Sequence, residues 1–332
     1  MKKYFRLNIE EREETSLCMN RGMFRTAIAR HLGRNPSTIT REMQSYPQRY
    51  SLYRAVAAQK DASRRRITAR KPRKLETNQE LREYIYKKLR LYWSPEQIAM
   101  ELKREYSQST DMRISHESIY SYLYILPRGE LRKELLSYLR QRKQIRQRRK
   151  NLNRSRQEQI PDLISIEERP KEVADRIIPG HWEGDLLIGK YHDSALGSLV
   201  ERTTRTTILI PLKKQDAVSV AQAFAREVKF LPQQMKLSMT YDRGREMCAH
   251  KLFTKTSKMK VFFAHPQSPW ERGTNENTNG LVRQFFPKGT DFSKIPRKEI
   301  KRVQDLLNGR PRKVLGWQKP LETFNQLIAL GA

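Results

Sequence analysis

The spacing of apolar residues changes character partway along this chain, and that change limits what it can fold into. In LNIEEREETSLCMNRGMFRTAIARHLGRNPSTITREMQ, Ile9, Leu17, Met23, Ile28, Leu32 and Ile39 recur at helical spacing. From about Val173 onward, GHWEGDLLIGK, ALGSLVERTTRTTILIPLK, MKLSMTYDRG and KMKVFFAH are short apolar or alternating runs rich in β-branched residues and read as strands. VERTTRTT reads as a hairpin turn. DAVSVAQAFAREVKFL and EMCAHKLFTKT return to helical spacing. Three strands, helix, strand, helix, strand, helix is the order of an α/β domain with a mixed sheet. An all-α region precedes it.

The N-terminal region reads as a helix, a tight turn at Gly33 and a second helix capped by Asn35 or Ser37, with Pro36 in its first turn. The second helix carries Ser37, Thr38, Thr40 and Arg41, types that reach base edges and phosphates from a major-groove helix. A basic stretch, RRRITARKPRK, follows. A second helical pair begins at Ser94, whose Pro95 and Gln97 complete a capping box, and at Ser115. That pair is either another DNA reader or a packing module. Leu139 to Arg156 then holds nine Lys or Arg and no acid. Such a block binds phosphate or is solvated, and Arg146, Arg148, Arg149 and Lys150 are its candidate phosphate contacts. The expected domains are 1–50 (helix-turn-helix), 51–90 (basic connector), 91–126 (second helical module), 127–172 (basic linker) and 173–332 (catalytic).

The net charge of +31, from 67 Lys and Arg against 36 Asp and Glu, calls for a polyanionic partner, with nucleic acid the first choice. No apolar run approaches the roughly 18 residues of a membrane span, so a membrane partner is not expected. The two cysteines, Cys18 and Cys248, cannot build a disulfide framework and read as free thiols of a reducing, cytoplasmic or nucleoid setting. Cys248-x-His250 is too isolated to argue for zinc.

Three acids stand at informative places. Asp185 lies inside the first strand, Asp242 ends another, and Glu276 opens a helix after 33 intervening residues. Sheets of this class build sites at strand ends. Three converging carboxylates suit phosphoryl transfer assisted by two Mg2+ ions, with Mn2+ a possible substitute. The Asn and Gly residues around Glu276 keep the floor of such a site small and polar. Spacing alone leaves Glu183, Glu246 and Glu271 as competitors. Arg283, seven residues after Glu276, falls on the same helix face and, with nearby Lys288, is a candidate phosphate contact.

Arg272-Gly273-x-x-Glu276-Asn277-x-Asn279-Gly280-Leu281-Val282-Arg283-Gln284-Phe285-Phe286-Pro287-Lys288 resembles the signature of the IS30-family bacterial transposases. GHWEGDLLIG and TYDRGREM resemble the family's other acid motifs, LGRNPSTITRE its helix-turn-helix and RPRKVLGW its C-terminal tail. The resemblance implies an RNase H-like, integrase-like catalytic domain with a DDE triad at Asp185, Asp242 and Glu276. It also implies Mg2+, recognition of terminal inverted repeats, excision and insertion into target DNA, and a homo-oligomer that brings two ends together. Asp242-Arg243-Gly244 departs from the Asp-Asn-Gly of many DDE enzymes. The rival readings are a catalytically inactive DNA-binding regulator and a structure-selective nuclease.

Overall fold

The computed structural model describes residues 6–45, 52–68, 72–139, 160–266 and 268–330. They form two compact units, Met1–Thr77 and Asn78–Ala332. The basic block from 140 to 159, with Arg146, Arg148, Arg149 and Lys150, lies outside the described residues.

The first unit contains α1 (Ile9–Asn20), α2 (Arg25–His31), α3 (Pro36–Ser45), α4 (Ala55–Thr68) and the short α5 (Lys74–Thr77). Asn8 and Glu11 close a capping box at the start of α1. The α2–α3 turn passes through Gly33 at φ +61°, a left-handed conformation that suits glycine. Asn35 then caps α3 by accepting from the Ser37 backbone N–H at 2.9 Å. Leu7, Cys18, Ile28, Ala29 and Ile39 make the core. Ile9 and Leu17, apolar as they are, lie on the exposed side of α1. That helix buries Arg12, Thr15 and Cys18 instead. Helix α4, expected within the connector, packs on α1, where Ser16 donates to the Tyr53 carbonyl at 2.9 Å.

The second unit begins with α6 (Gln79–Arg90), α7 (Pro95–Glu105), α8 (His116–Ile125), α9 (Glu130–Ser137) and α10 (Glu172–Asp175). The sheet follows: β1 (His181–Ile188), β2 (Ala195–Glu201), β3 (Thr207–Pro211), β4 (Ser238–Tyr241) and β5 (Lys260–Phe263). Interleaved with these strands and following them come α11 (Ala217–Val228), α12 (His250–Ser257), α13 (Gly273–Val282), α14 (Arg297–Asn308) and α15 (Pro320–Leu330). The order across the sheet is β3-β2-β1-β4-β5. β1 runs antiparallel to β2 and parallel to β4, and β4 runs parallel to β5. The mixed sheet and its element order match the sequence expectation.

Each face of the sheet has its own core. Trp182, Phe224, Met239, Tyr241, Phe253 and Phe263 fill the side covered by α11 and α12. Leu187, Leu196, Leu209, Leu281, Val282, Ile300 and Leu307 fill the side covered by α13 and α14. Strand alternation therefore sends Trp182 one way and Glu183, Asp185 and Leu187 the other. The second helical pair packs onto the C-terminal segment. Gln97 completes its capping box and also donates to the Pro311 carbonyl at 2.8 Å. Glu101 meets Lys319 at 2.8 Å, and Glu96 meets Lys313 at 3.1 Å. His116 and Ser118 of α8 remain exposed.

Candidate active site

Helix α13 is rich in Asn, Gly and Thr, all weak helix formers, so tertiary contacts must hold it. It runs beside β1 in step with it. Two residues of strand advance about 6.6 Å and four of helix about 6 Å, so alternate strand residues meet every fourth helix residue. The Asn275 backbone N–H donates to the Glu183 carboxylate and its side chain to the Glu183 carbonyl, both at 2.8 Å. One step further, Asn279 Nδ2 donates to Asp185 Oδ2 at 2.8 Å. A step beyond that, Leu187 shares a core with Leu281 and Val282. On the opposite face of β1, Gly184 lies where a Cβ would come within 2.7 Å of the Tyr241 ring. Only glycine lets the strand lie this close.

Asp242 directly follows β4, beside β1 in the parallel pair. One guanidinium joins the two aspartates. Arg272 Nη2 donates to Asp242 Oδ2 at 2.9 Å, and Nη1 lies 3.4 Å from Asp185 Oδ1 and 3.1 Å from the Gly184 carbonyl. Gly244 N–H steadies the other Asp242 oxygen at 3.2 Å. Burial raises the Asp185 pKa; Arg272 opposes that rise and the Asp242 charge adds to it. Arg272, 15% exposed at its side chain, is thus a resident cation between two carboxylates.

Glu276 is exposed on α13. It sits three residues before Asn279 and four after Arg272, on the turn of helix between the two residues that hold Asp185. Its carboxylate does not close with the aspartates into a common ligand set. Among the described residues, the only group of three acid, His or Cys donors within 4.8 Å of one another is Glu14, Cys18 and His31 of the first unit. Like-charged carboxylates repel one another.

The competing acids are occupied or differently placed. Glu183 is fully buried and paired with Arg202 at 2.6 Å. Glu271 pairs with His265 at 2.8 Å. Glu246 is half-buried, and its pKa is raised first by burial and then by the charges of Asp242 and Asp185. Arg243 turns away and donates to the Ala264 carbonyl at 3.2 Å.

Arg283 also turns inward. Its Nη2 donates to the Ile188 carbonyl at 2.8 Å, and Nη1 faces the carbonyls of Phe286 and Pro287 at 3.4 and 3.3 Å. It clamps the end of β1 to the end of α13, and it stays half-buried. Lys288 is exposed. In the first unit, Ser37 and Arg41 are exposed on α3, and Thr38 and Thr40 are half-buried. Ser37 Oγ donates to Asn35 at 2.8 Å and Thr40 Oγ1 to the Pro36 carbonyl at 3.1 Å. The sequence named Arg272 and Asn279 only as parts of the family signature, with no role assigned to either, and did not single out Asn275. The four-residue step from Asn275 to Asn279 was the available signal.

Two family models match the chain: an integrase core domain over residues 176–269 and a helix-turn-helix domain over residues 3–44. The integrase-core match spans Asp185 and Asp242 and ends before α13. The transposase for insertion sequence element IS1086 of Cupriavidus metallidurans is 41% identical over 331 residues, covering 98% of this chain and 96% of that protein. The transposase for insertion sequence element IS30A of Escherichia coli K12 is 40% identical, covering 98% of this chain and 84% of that protein. The transposase for insertion sequence element IS4351 of Bacteroides fragilis is 36% identical over 96% of this chain and 95% of its own length. With near-complete coverage by such relatives, and an integrase core preceded by a helix-turn-helix, this chain belongs to the IS30 family of insertion-sequence transposases.

Proposed function

We propose that this chain binds the terminal inverted repeats of an insertion sequence, cuts the DNA there and joins the ends to target DNA with Mg2+. The observation that carries the reading is the pair Asp185 and Asp242, held side by side at the C-terminal end of β4 and its neighbour β1 by one guanidinium. A cation already lies where these two carboxylates need one. The available donors are all oxygens: the two aspartates, Glu276 one helical turn away, and Asn279 Oδ1, which is buried with no hydrogen-bond partner among the described residues. Such a set fits a hard divalent cation. When bound, two such ions activate the attacking oxygen and stabilise the leaving one.

The chain's own groups do the rest. Asn279 orients Asp185 through one oxygen, and Gly244 N–H orients Asp242. Arg272 offsets the negative charge of the pair, and the Glu183–Asn275 contacts fix α13 against β1. In the first unit, Thr38, Arg41, Ser37 and Thr40 lie on the helix assigned to base and phosphate contacts. Lys288 and the basic block containing Arg146, Arg148, Arg149 and Lys150 supply phosphate contacts. The active form is a homo-oligomer that brings two ends together in the bacterial cytoplasm, at the nucleoid. No helix among the described residues is long and apolar enough to cross a membrane.

A supercoiled plasmid bearing the repeats, incubated with the full chain and Mg2+, tests the reading. Joined products are expected. Cuts without joining would indicate a nuclease, and end binding without either would indicate a regulator.

A further inference from the structure

Helix α13 has a second polar face. Asn275 and Asn279 point to β1, whereas Gly273, Thr274, Asn277 and Thr278 line a pocket of about 300 Å3 together with Arg176, Arg205, Arg312 and Val314. At 100° per residue, Glu276 falls between these two arcs. The pocket lining holds three arginines and no acid. The acids closest in the fold are already engaged. Glu183 is held by Arg202 and Asn275. Glu201 accepts from the backbone N–H groups of Gly180, Thr203 and Thr204.

The cations are crowded together. Burial lowers the pKa of Arg205, and the charge of Arg176 lowers it further. Burial also lowers that of Arg202; Glu183 opposes the shift and Arg176 adds to it. The Nε atoms of Arg202 and Arg205 are buried with no hydrogen-bond partner among the described residues. Arg205 Nη1 donates to Thr274 Oγ1 at 2.6 Å, which fixes its guanidinium against α13. Arg176 and Arg205 both adopt left-handed backbone conformations, with φ of 56° and 63°. Non-glycine residues seldom hold this conformation, and where they do it is often to aim a functional side chain. Like charges brought this close are stabilised by a bound anion.

We propose that the Arg176–Arg205–Arg312 pocket seats a backbone phosphate of the DNA strand held at Asp185, Asp242 and Glu276. The proposal rests on the transposase reading and adds a specific subsite to it. Each strand of a duplex presents a phosphate for every 3.4 Å or so of helix axis. A strand crossing the acid-bearing end of α13 therefore brings a neighbouring phosphate to the helix's other polar face. The contact positions the strand and reads no base.

The test uses the full chain and end DNA in which single phosphates are replaced one at a time by neutral methylphosphonates. Arg176 is exposed, so Arg176→Gln is expected to fold, and its melting temperature checks this. Arg312→Gln is the second variant. At one phosphate near the cleavage point, neutralisation should weaken wild-type binding by about tenfold, the scale of a charge-assisted hydrogen bond. Arg176→Gln should cause a similar loss on unmodified DNA. The two changes together should cost little more than either alone. The salt slope of Arg176→Gln should fall by about 1. Additive losses at every phosphate for both variants would overturn the pocket, even with wild-type joining intact. A wild-type protein that never joins ends would overturn the transposase reading instead.

Discussion

Both units bury an Arg–Glu pair, and they use it differently. In the first, Arg12 forks onto Glu42 at 2.7 and 3.1 Å and also reaches the Leu7 carbonyl and Gln59. The pair ties α1 to α3, beside a core of five buried apolar residues. In the second, Arg202 meets Glu183 at 2.6 Å, and Glu183 also accepts the Asn275 N–H. That pair lies between β1 and α13, with apolar cores on both faces of the sheet. The small unit spends buried polarity on holding its outer helix. The large one spends it on aligning the helix that carries Glu276, and its stability rests on the apolar cores around it. The first unit exposes Ser37 and Arg41 of the residues assigned to reading DNA and half-buries Thr38 and Thr40, whereas the second partly encloses Asp185 and Asp242.

The sharpest way to separate the two units is to remove a carboxylate. Asp185→Asn, Asp242→Asn or Glu276→Gln should each cost several kcal/mol of transition-state stabilisation, roughly a thousandfold or more in joining. End binding should stay close to wild type. Joining within tenfold of wild type in any one variant would remove that residue from the site.

Next come the buried pairs. Arg202→Ala strands Glu183 in a dry interior and should destabilise the second unit by about 3–5 kcal/mol. Joining should fail while repeat binding by the first unit persists. Arg12→Ala should do the reverse, with specific binding lost and the second unit's thermal transition unchanged. Differential scanning calorimetry of the full chain, alongside gel shifts, reads both. Loss of both functions in both variants would mean that the units do not fold separately.

A pH effect is expected in the second unit. His181 is buried against Ser238, and burial, then Arg202 and Arg169, holds its pKa down at about 4. The unfolded chain takes up this proton near pH 6.5, before the folded one does. Stability from this group is therefore full above about pH 6.5 and lost as pH falls toward 4, by up to about 3 kcal/mol. His181→Gln should flatten the curve between those limits. An unchanged curve would assign the acid sensitivity to other groups.

The smallest effect concerns reading. Thr38→Ala and Arg41→Ala should each reduce discrimination between repeat and random DNA by about 1–3 kcal/mol, if their side chains meet base edges. Fluorescence anisotropy on matched and scrambled duplexes measures this. A uniform loss on both DNAs would make these residues phosphate contacts.

By itself the sequence determined the periodicities and therefore the elements. The order of three strands, helix, strand, helix, strand, helix was legible because alternation and helical spacing are local properties. So were the capping box at Ser94 and the turn at Gly33. Asp185 in a strand and Asp242 at the end of another were legible for the same reason. The signature around Glu276 and its neighbours pointed to the family. Only the tertiary structure decided which side chains meet. Arg272 lies 30 residues from Asp242 and 87 from Asp185 in the chain, yet one guanidinium spans both. No local pattern encodes that contact. It follows from β1 and β4 lying parallel and from α13 keeping step with β1. The same packing turned Arg283 toward backbone carbonyls, although its helical position alone had placed it with the acids. It also occupied Glu183 and Glu271, which spacing alone had left as competitors of Glu276. A buried charge must find its partner wherever the fold brings one within reach, and that choice depends on distances across the fold, to which spacing along the chain is blind.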